Sequence, residues 1–183
     1  MSGRKYEHLI TTIKYDDRDK NFWDEDDDRR TLYGPAMYSR EKSELAPFFL
    51  DIMELYGEDT GFGMGAKSVL NGEEIVDTPH KHSVPEVFVF CGTNVDDPSD
   101  LGGEIEMWIG EGEEAEKYIF TEPTFVYLPE GLVHQPTWAR NVRHTIICID
   151  ILLSPDFNIE PVAIYPPDYE GPERFKEFRA QFR

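Results

Sequence analysis

Apolar residues in this chain come in short runs divided by turn-forming residues, and the pattern changes near residue 46. Upstream lies a polar, irregular stretch that includes "YDDRDKNFWDEDDDRR". From "APFFLDIMELYG" onward, runs rich in β-branched and aromatic residues are bounded by turn chemistry such as "LNGEE", "DDPSDLGG" and "GEGEE". They predict strands near 47–55, 62–70, 86–91, 103–109, 117–121, 124–128 and 143–153. In "EIEMWIG" the alternation sends Ile105, Met107 and Ile109 to a core and Glu104 and Glu106 to water, as in an antiparallel sheet with one wet face. Many short strands without helices between them predict a sandwich, jelly roll or barrel. The end differs: "PERFKEFRAQF" opens on a proline suited to a first helical turn and spaces Phe175, Phe178 and Phe182 along one face. The expected organisation is an N-terminal arm over 1–45, an all-β barrel over 46–165 and a C-terminal helix over 166–183 packed on it.

At 183 residues, with 39% hydrophobic and 13% aromatic content, the chain can bury one sizeable core. Its formal charge of −19 repels phosphate backbones and anionic membrane surfaces, so nucleic acid is not an expected partner. No apolar run has the length needed to span a bilayer, and the first residues lack a signal-like apolar stretch, so a cytoplasmic protein is expected. The two cysteines, Cys91 and Cys148, sit in apolar runs and read as small buried hydrophobes. The acidic cluster of the arm lacks the ligand ladder and glycine turn of a calcium loop and reads as solvated surface. Sheet edges and the "FFLDIMELYG" segment offer pairing surfaces, from which a symmetric homodimer is expected.

Chemistry concentrates in "PHKHSVPEVFVFCG", residues 79–92, which holds two of the five histidines one residue apart. On an extended chain residues two apart share a side, so His80 and His82 present two imidazoles to one space, and Glu86 keeps the same parity if the chain stays extended through Pro85. Downstream, "LPEGLVHQP" makes a turn and then delivers His134. Three imidazole nitrogens and one carboxylate oxygen suit Fe(II), Mn(II), Co(II), Ni(II), Cu(II) or Zn(II). Four protein ligands leave an octahedral ion two positions for water, substrate or dioxygen.

"HKHSVPEVFVFCG" resembles the first motif of the cupin superfamily, and "PEGLVH" resembles the core of its second; the likeness runs over roughly residues 60–153 and extends to bacterial cupins. The resemblance implies a double-stranded β-helix, the cupin jelly roll, with a metal inside the barrel. Matched position by position, His80, His82, Glu86 and His134 stand where the family has its four metal ligands. One divalent ion per chain is expected, Fe(II) first, with Mn, Ni, Co or Zn as alternatives. Phe88, Phe90, Met64, Phe125, Tyr127 and Trp138 are the large side chains expected around it, and Lys67, Gln135 and Arg140 the polar ones that could orient a ligand. Arg140 leads these, since a guanidinium grips a carboxylate with two hydrogen bonds. The expected function is that of a metal-dependent enzyme acting on a small oxygen-bearing molecule, as a dioxygenase or as a lyase or isomerase. The alternative is a non-catalytic module that binds a small ligand or is stabilised by its metal.

Overall fold

The computed structural model describes residues 32–38, 46–55, 60–62, 68–70, 73–75, 79–156 and 159–162. Its strands are β1 (Leu32–Tyr38), β2 (Phe49–Leu55), β3 (Thr60–Phe62), β4 (Ser68–Leu70), β5 (Glu73–Ile75), β6 (His80–Lys81), β7 (Glu86–Gly92), β8 (Glu104–Ile109), β9 (Glu116–Phe120), β10 (Thr124–Leu128), β11 (His134–Arg140), β12 (Ile146–Leu152) and β13 (Glu160–Pro161). A single 3-10 turn, Gly112–Glu114, is the only helical element among the described residues. Met64, Lys67, the proposed C-terminal helix and most of the N-terminal arm lie outside the described residues.

Two antiparallel sheets form the body. One runs β1-β2-β12-β7-β10, and the other runs β13-β6-β11-β8-β9 with β3 also paired to β11. β4 and β5 make a small separate ribbon. Period-two patterning explains the first sheet: β2 buries Phe49, Asp51, Met53 and Leu55, and β12 buries Ile146, Cys148, Asp150 and Leu152. These meet Glu86, Phe88 and Phe90 of β7 in register. The second sheet supplies Ile105 and Met107 to the same core. Phe88 and Phe90 stack with centroids 6.0 Å apart and planes 5° from parallel.

Two strands escape the sequence pattern. Leu32–Tyr38, inside the stretch read as polar and irregular, pairs with β2 through a register shift between Tyr33 and Ala36, so Gly34 and Pro35 interrupt a strand without ending it. β11 was also not expected as a strand, because "HQPTWAR" carries a proline and several polar residues. It pairs His134 with Ile109 and Thr137 with Met107, so Gln135 and Pro136 together oppose Trp108. This bulge reverses the parity beyond it: Thr137 and Ala139 join the side of Met107 and Ile105, while Trp138 and Arg140 join the side of Glu106 and Glu104. Gln135 takes the left-handed φ of 74° at this point.

The first motif's glycine has a steric reason. A Cβ at Gly92 would lie 2.0 Å from the carbonyl oxygen of Asp100. The long loop between β7 and β8 therefore closes tightly over the end of β7. It is held by Asp100, which accepts from the Gly102 amide at 2.9 Å and from Arg143 at 2.8 Å.

Candidate metal centre

His80, His82 and His134 are buried and gathered, with their candidate ligand atoms all within 4.8 Å of one another. Different elements deliver them. His80 lies in β6, paired directly with His134 at the start of β11, and His82 follows β6 on the chain. Glu86 begins β7, in the opposite sheet, because the chain bends through Ser83 and Val84 as it crosses between sheets. The four side chains thus converge from both sheets.

The carboxylate of Glu86 sits 2.7 Å from His134 Nε2 through Oε2 and 3.5 Å from His82 Nε2 through Oε1. His134 Nδ1 lies 3.1 Å from the carbonyl oxygen of Leu132, a contact that orients the ring and aims Nε2 inward. Burial by itself would raise the Glu86 pKa. The hydrogen bond to His134 and the charges of His134 and His82 outweigh it and bring the pKa down to about 2. Glu86 is therefore ionised wherever the protein is folded near neutrality, as a ligand must be. Three nitrogens and one anionic oxygen so placed fit a divalent transition metal in both donor type and number.

Behind Glu86 the site holds two acids that patterning by strands did not single out. Asp150 on β12 is fully buried, faces the same interior as Glu86, and pairs in register with both Phe88 and Asp51. Asp51 on β2 is buried as well. Burial pushes the Asp150 carboxyl well above the usual carboxylate range, and the charges of Glu86 and Asp51 push it further. The signal was present as an aspartate on the inward parity of "ICIDIL" and of "FFLDIMEL".

A stability consequence follows by linkage. Below its unfolded pKa Asp150 is protonated in both states and carries no penalty. As pH rises past that value the unfolded chain releases its proton first, so the raised folded pKa costs stability increasingly toward neutrality. In the metal-free chain, Asp150→Asn should raise Tm, with a gain larger at pH 7 than at pH 4. An equal Tm change at both pH values, followed by circular dichroism, would show that Asp150 does not carry this cost.

The other expected residues divide. Phe88 and Phe90 lie in the core as anticipated. Tyr127 and Phe125 do not face the histidine cluster: on β10 the inward residues are Val126 and Leu128, and Tyr127 and Phe125 are 55% and 65% exposed. The β11 bulge puts Trp138 and Arg140 in register with Glu106 and Glu104, and Trp138 is nonetheless buried in the core cluster. Arg140 Nε donates to Glu106 Oε2 at 3.1 Å, and its guanidinium lies 5.4 Å from the Trp138 ring centre. Gln135 is fully buried within the bulge beside His134. Cys148 is buried, and burial pushes its thiol pKa well up, which removes it as a nucleophile.

No family model matches the chain, and no curated protein matches it by sequence. Solved structures do match its fold. An oxalate oxidase in complex with the substrate analogue glycolate aligns at 11% identity and a TM-score of 0.50, covering 86% of this chain and 65% of that one. A second oxalate oxidase structure, on the mechanism of that enzyme, aligns at 11% identity and TM-score 0.50 over 96% of this chain and 75% of that one. This chain thus spans about two thirds of the length of the first. With two antiparallel sheets enclosing the histidine cluster and these oxalate oxidases as structural neighbours, the chain has the cupin fold.

Proposed function

We propose that His80, His82, Glu86 and His134 hold one divalent transition metal and that the protein is an enzyme acting on a small oxygen-bearing organic molecule. The observation that carries this reading is the buried convergence of three imidazoles and an ionised carboxylate from two facing sheets. A surface histidine cluster would need no such burial, and a closed structural zinc site would more commonly use cysteine. When bound, the metal would act as a Lewis acid with positions open to a carbonyl, enol or hydroxyl oxygen. Fe(II) is the ion we assign first, with Mn, Ni, Co or Zn able to use the same donors.

The chain's own residues supply the rest. Glu86 holds one negative charge against the ion, and the Leu132 carbonyl fixes the His134 ring. Phe88, Phe90 and Leu128 keep bulk water from one wall and raise the strength of every charge inside. The described residues show no nucleophile of lowered pKa, so reactivity is assigned to the metal centre, as a dioxygenase or as a lyase or isomerase.

We extend the proposal to a cytoplasmic, symmetric homodimer. The outward side of the first sheet is apolar across neighbouring strands, with Phe125 and Tyr127 on β10, Val89 on β7 and Ile147, Ile149 and Ile151 on β12, which supports association through that face. No described helix is long and apolar enough to cross a membrane.

The test is to screen metal-loaded protein against small hydroxy acids, diketones and alcohols, with and without air, beside the Glu86→Ala variant. Turnover that the variant loses supports the enzyme reading, and oxygen consumption tied to it selects the dioxygenase. Equal turnover in both proteins, or ligand binding alone across the panel, replaces it with a binding module.

A further inference from the structure

Each of the two main sheets ends in open edges, and folded proteins protect such edges with short strands, prolines, bulges or charge. All but one of the edges here carry such a device. On one side of the second sheet, β13 and β3 are only two and three residues long. On its other side, β9 carries Glu116 and Lys117. At one end of the first sheet, β1 is interrupted by Gly34 and Pro35 at its register shift. β10, at the other end, has none of these. Its five residues, Thr124–Leu128, are uncharged and pair with β7 in unbroken register, while among the described residues no strand lies on the other side. Pro123 and Pro129 bound the run without interrupting it. Alternate residues of such a strand turn their backbone N–H and C=O groups to the open side.

The residues of β10 also match themselves. Antiparallel pairing about a two-fold axis at Val126 sets Phe125 against the partner's Tyr127, Tyr127 against the partner's Phe125, and Thr124 against the partner's Leu128. Aromatic then meets aromatic on the outward face, and no charge meets its like. Phe125 and Tyr127 are the most exposed aromatic side chains among the described residues. They end two apolar rows that cross the sheet: Phe125 lies in register with Val89, Ile149 and Ile52, and Tyr127 with Val87, Ile151 and Leu50. On a chain of net charge −19 two copies repel over most of their surface, so an uncharged edge is where contact costs least.

We propose that β10 is a pairing edge whose partner is a second copy of this chain, joined antiparallel at Val126 so that the first sheet continues from one copy into the next. This rests on the homodimer reading and gives it a geometry, in which the outward apolar rows run on across both copies. Five strand residues a side fall well short of the roughly 20–30 of a standard interface, so the dimer should dissociate on dilution.

Sedimentation of the full chain over a concentration series reads the assembly, and hydrogen exchange of the same protein at both ends of the series reads its location. Exchange of the β10 amides should slow as the mass doubles. Phe125→Lys with Tyr127→Lys should weaken the dimer at least about tenfold, because both aromatic pairs become like-charge pairs. Phe125→Lys with Tyr127→Glu changes the same two exposed positions but sets opposite charges across the axis, and it should restore most of that loss. Circular dichroism checks that each variant is folded. A dimer that forms while β10 exchange is unchanged, or that both double variants weaken alike, overturns the edge pairing and leaves the homodimer reading standing. A single-copy mass at every concentration overturns both, and β10 amides equally protected throughout would then put another segment of this chain on the edge.

Discussion

Replacing His134 by alanine should remove nearly all bound metal from a chain that otherwise holds about one ion. His134 touches the centre twice over: its Nε2 lies 2.7 Å from Glu86, and its Nδ1 side is anchored to the Leu132 carbonyl. Loss of an outer hydrogen-bond partner alone costs about 10- to 100-fold in metal affinity, so loss of an inner ligand should cost at least about 100-fold. His82→Ala should behave similarly, because it removes a second converging nitrogen. His144→Ala is the control, since His144 is exposed and stands outside the cluster. Elemental analysis of protein purified without chelator reads the result. Full occupancy in His134→Ala would mean that the ion sits on other ligands.

Phe88→Ala should produce the largest loss of stability of any single truncation considered. The Phe88 ring is completely enclosed, stacks on Phe90 and approaches His134 with centroids 6.2 Å apart. Emptying such a site removes transfer free energy and leaves a cavity, together about 3–5 kcal/mol. That is a large part of the roughly 5–15 kcal/mol that holds an ordinary domain folded. Urea unfolding should show a much lower midpoint with little change in slope. Ile119→Ala, on β9 of the other sheet and exposed, should change stability by less than about 0.5 kcal/mol. Because Phe88 lies between the core and the histidines, its truncation should also weaken metal binding, whereas Ile119→Ala should not. Equal effects from the two variants would contradict the inward assignment of β7.

The likeness between Glu86 and Asp150 as buried acids hides a difference in cause. Glu86 is enclosed but faces two imidazoles, so its carboxylate form is favoured. Asp150 is enclosed against other acids, so its neutral form is favoured. Burial favours the neutral acid at both; the imidazoles overturn that at Glu86, and the neighbouring carboxyls add to it at Asp150.

Several features were legible in the residues themselves. Short apolar runs with period-two alternation and turn chemistry are local properties, and they placed β7, β8, β9, β10 and β12 within a few residues of their observed bounds. The four candidate ligands were legible because each stands in a short motif whose spacing is itself local. Other features depend on which strands become neighbours. A bulge inserts one residue and shifts the register after it, so Arg140, inward by simple alternation, lies beside Glu104 and Glu106, while Trp138 on the same side stays buried in the core cluster. Tyr127 and Phe125 are apolar residues on the outer side of an edge strand, where composition alone cannot assign a face. The strand at Leu32–Tyr38 forms because β2 presents an open edge to it, despite Gly34 and Pro35. The acidic row of Asp51, Asp150 and Glu86 was decided only by tertiary structure. Its members are 35 or more residues apart in the chain, and only the pairing β2-β12-β7 turns three isolated aspartate and glutamate positions into one interacting buried set. Sequence determines alternation and motif because those act over a few bonds, whereas charge acts through space and depends on the strand order that brings the groups together.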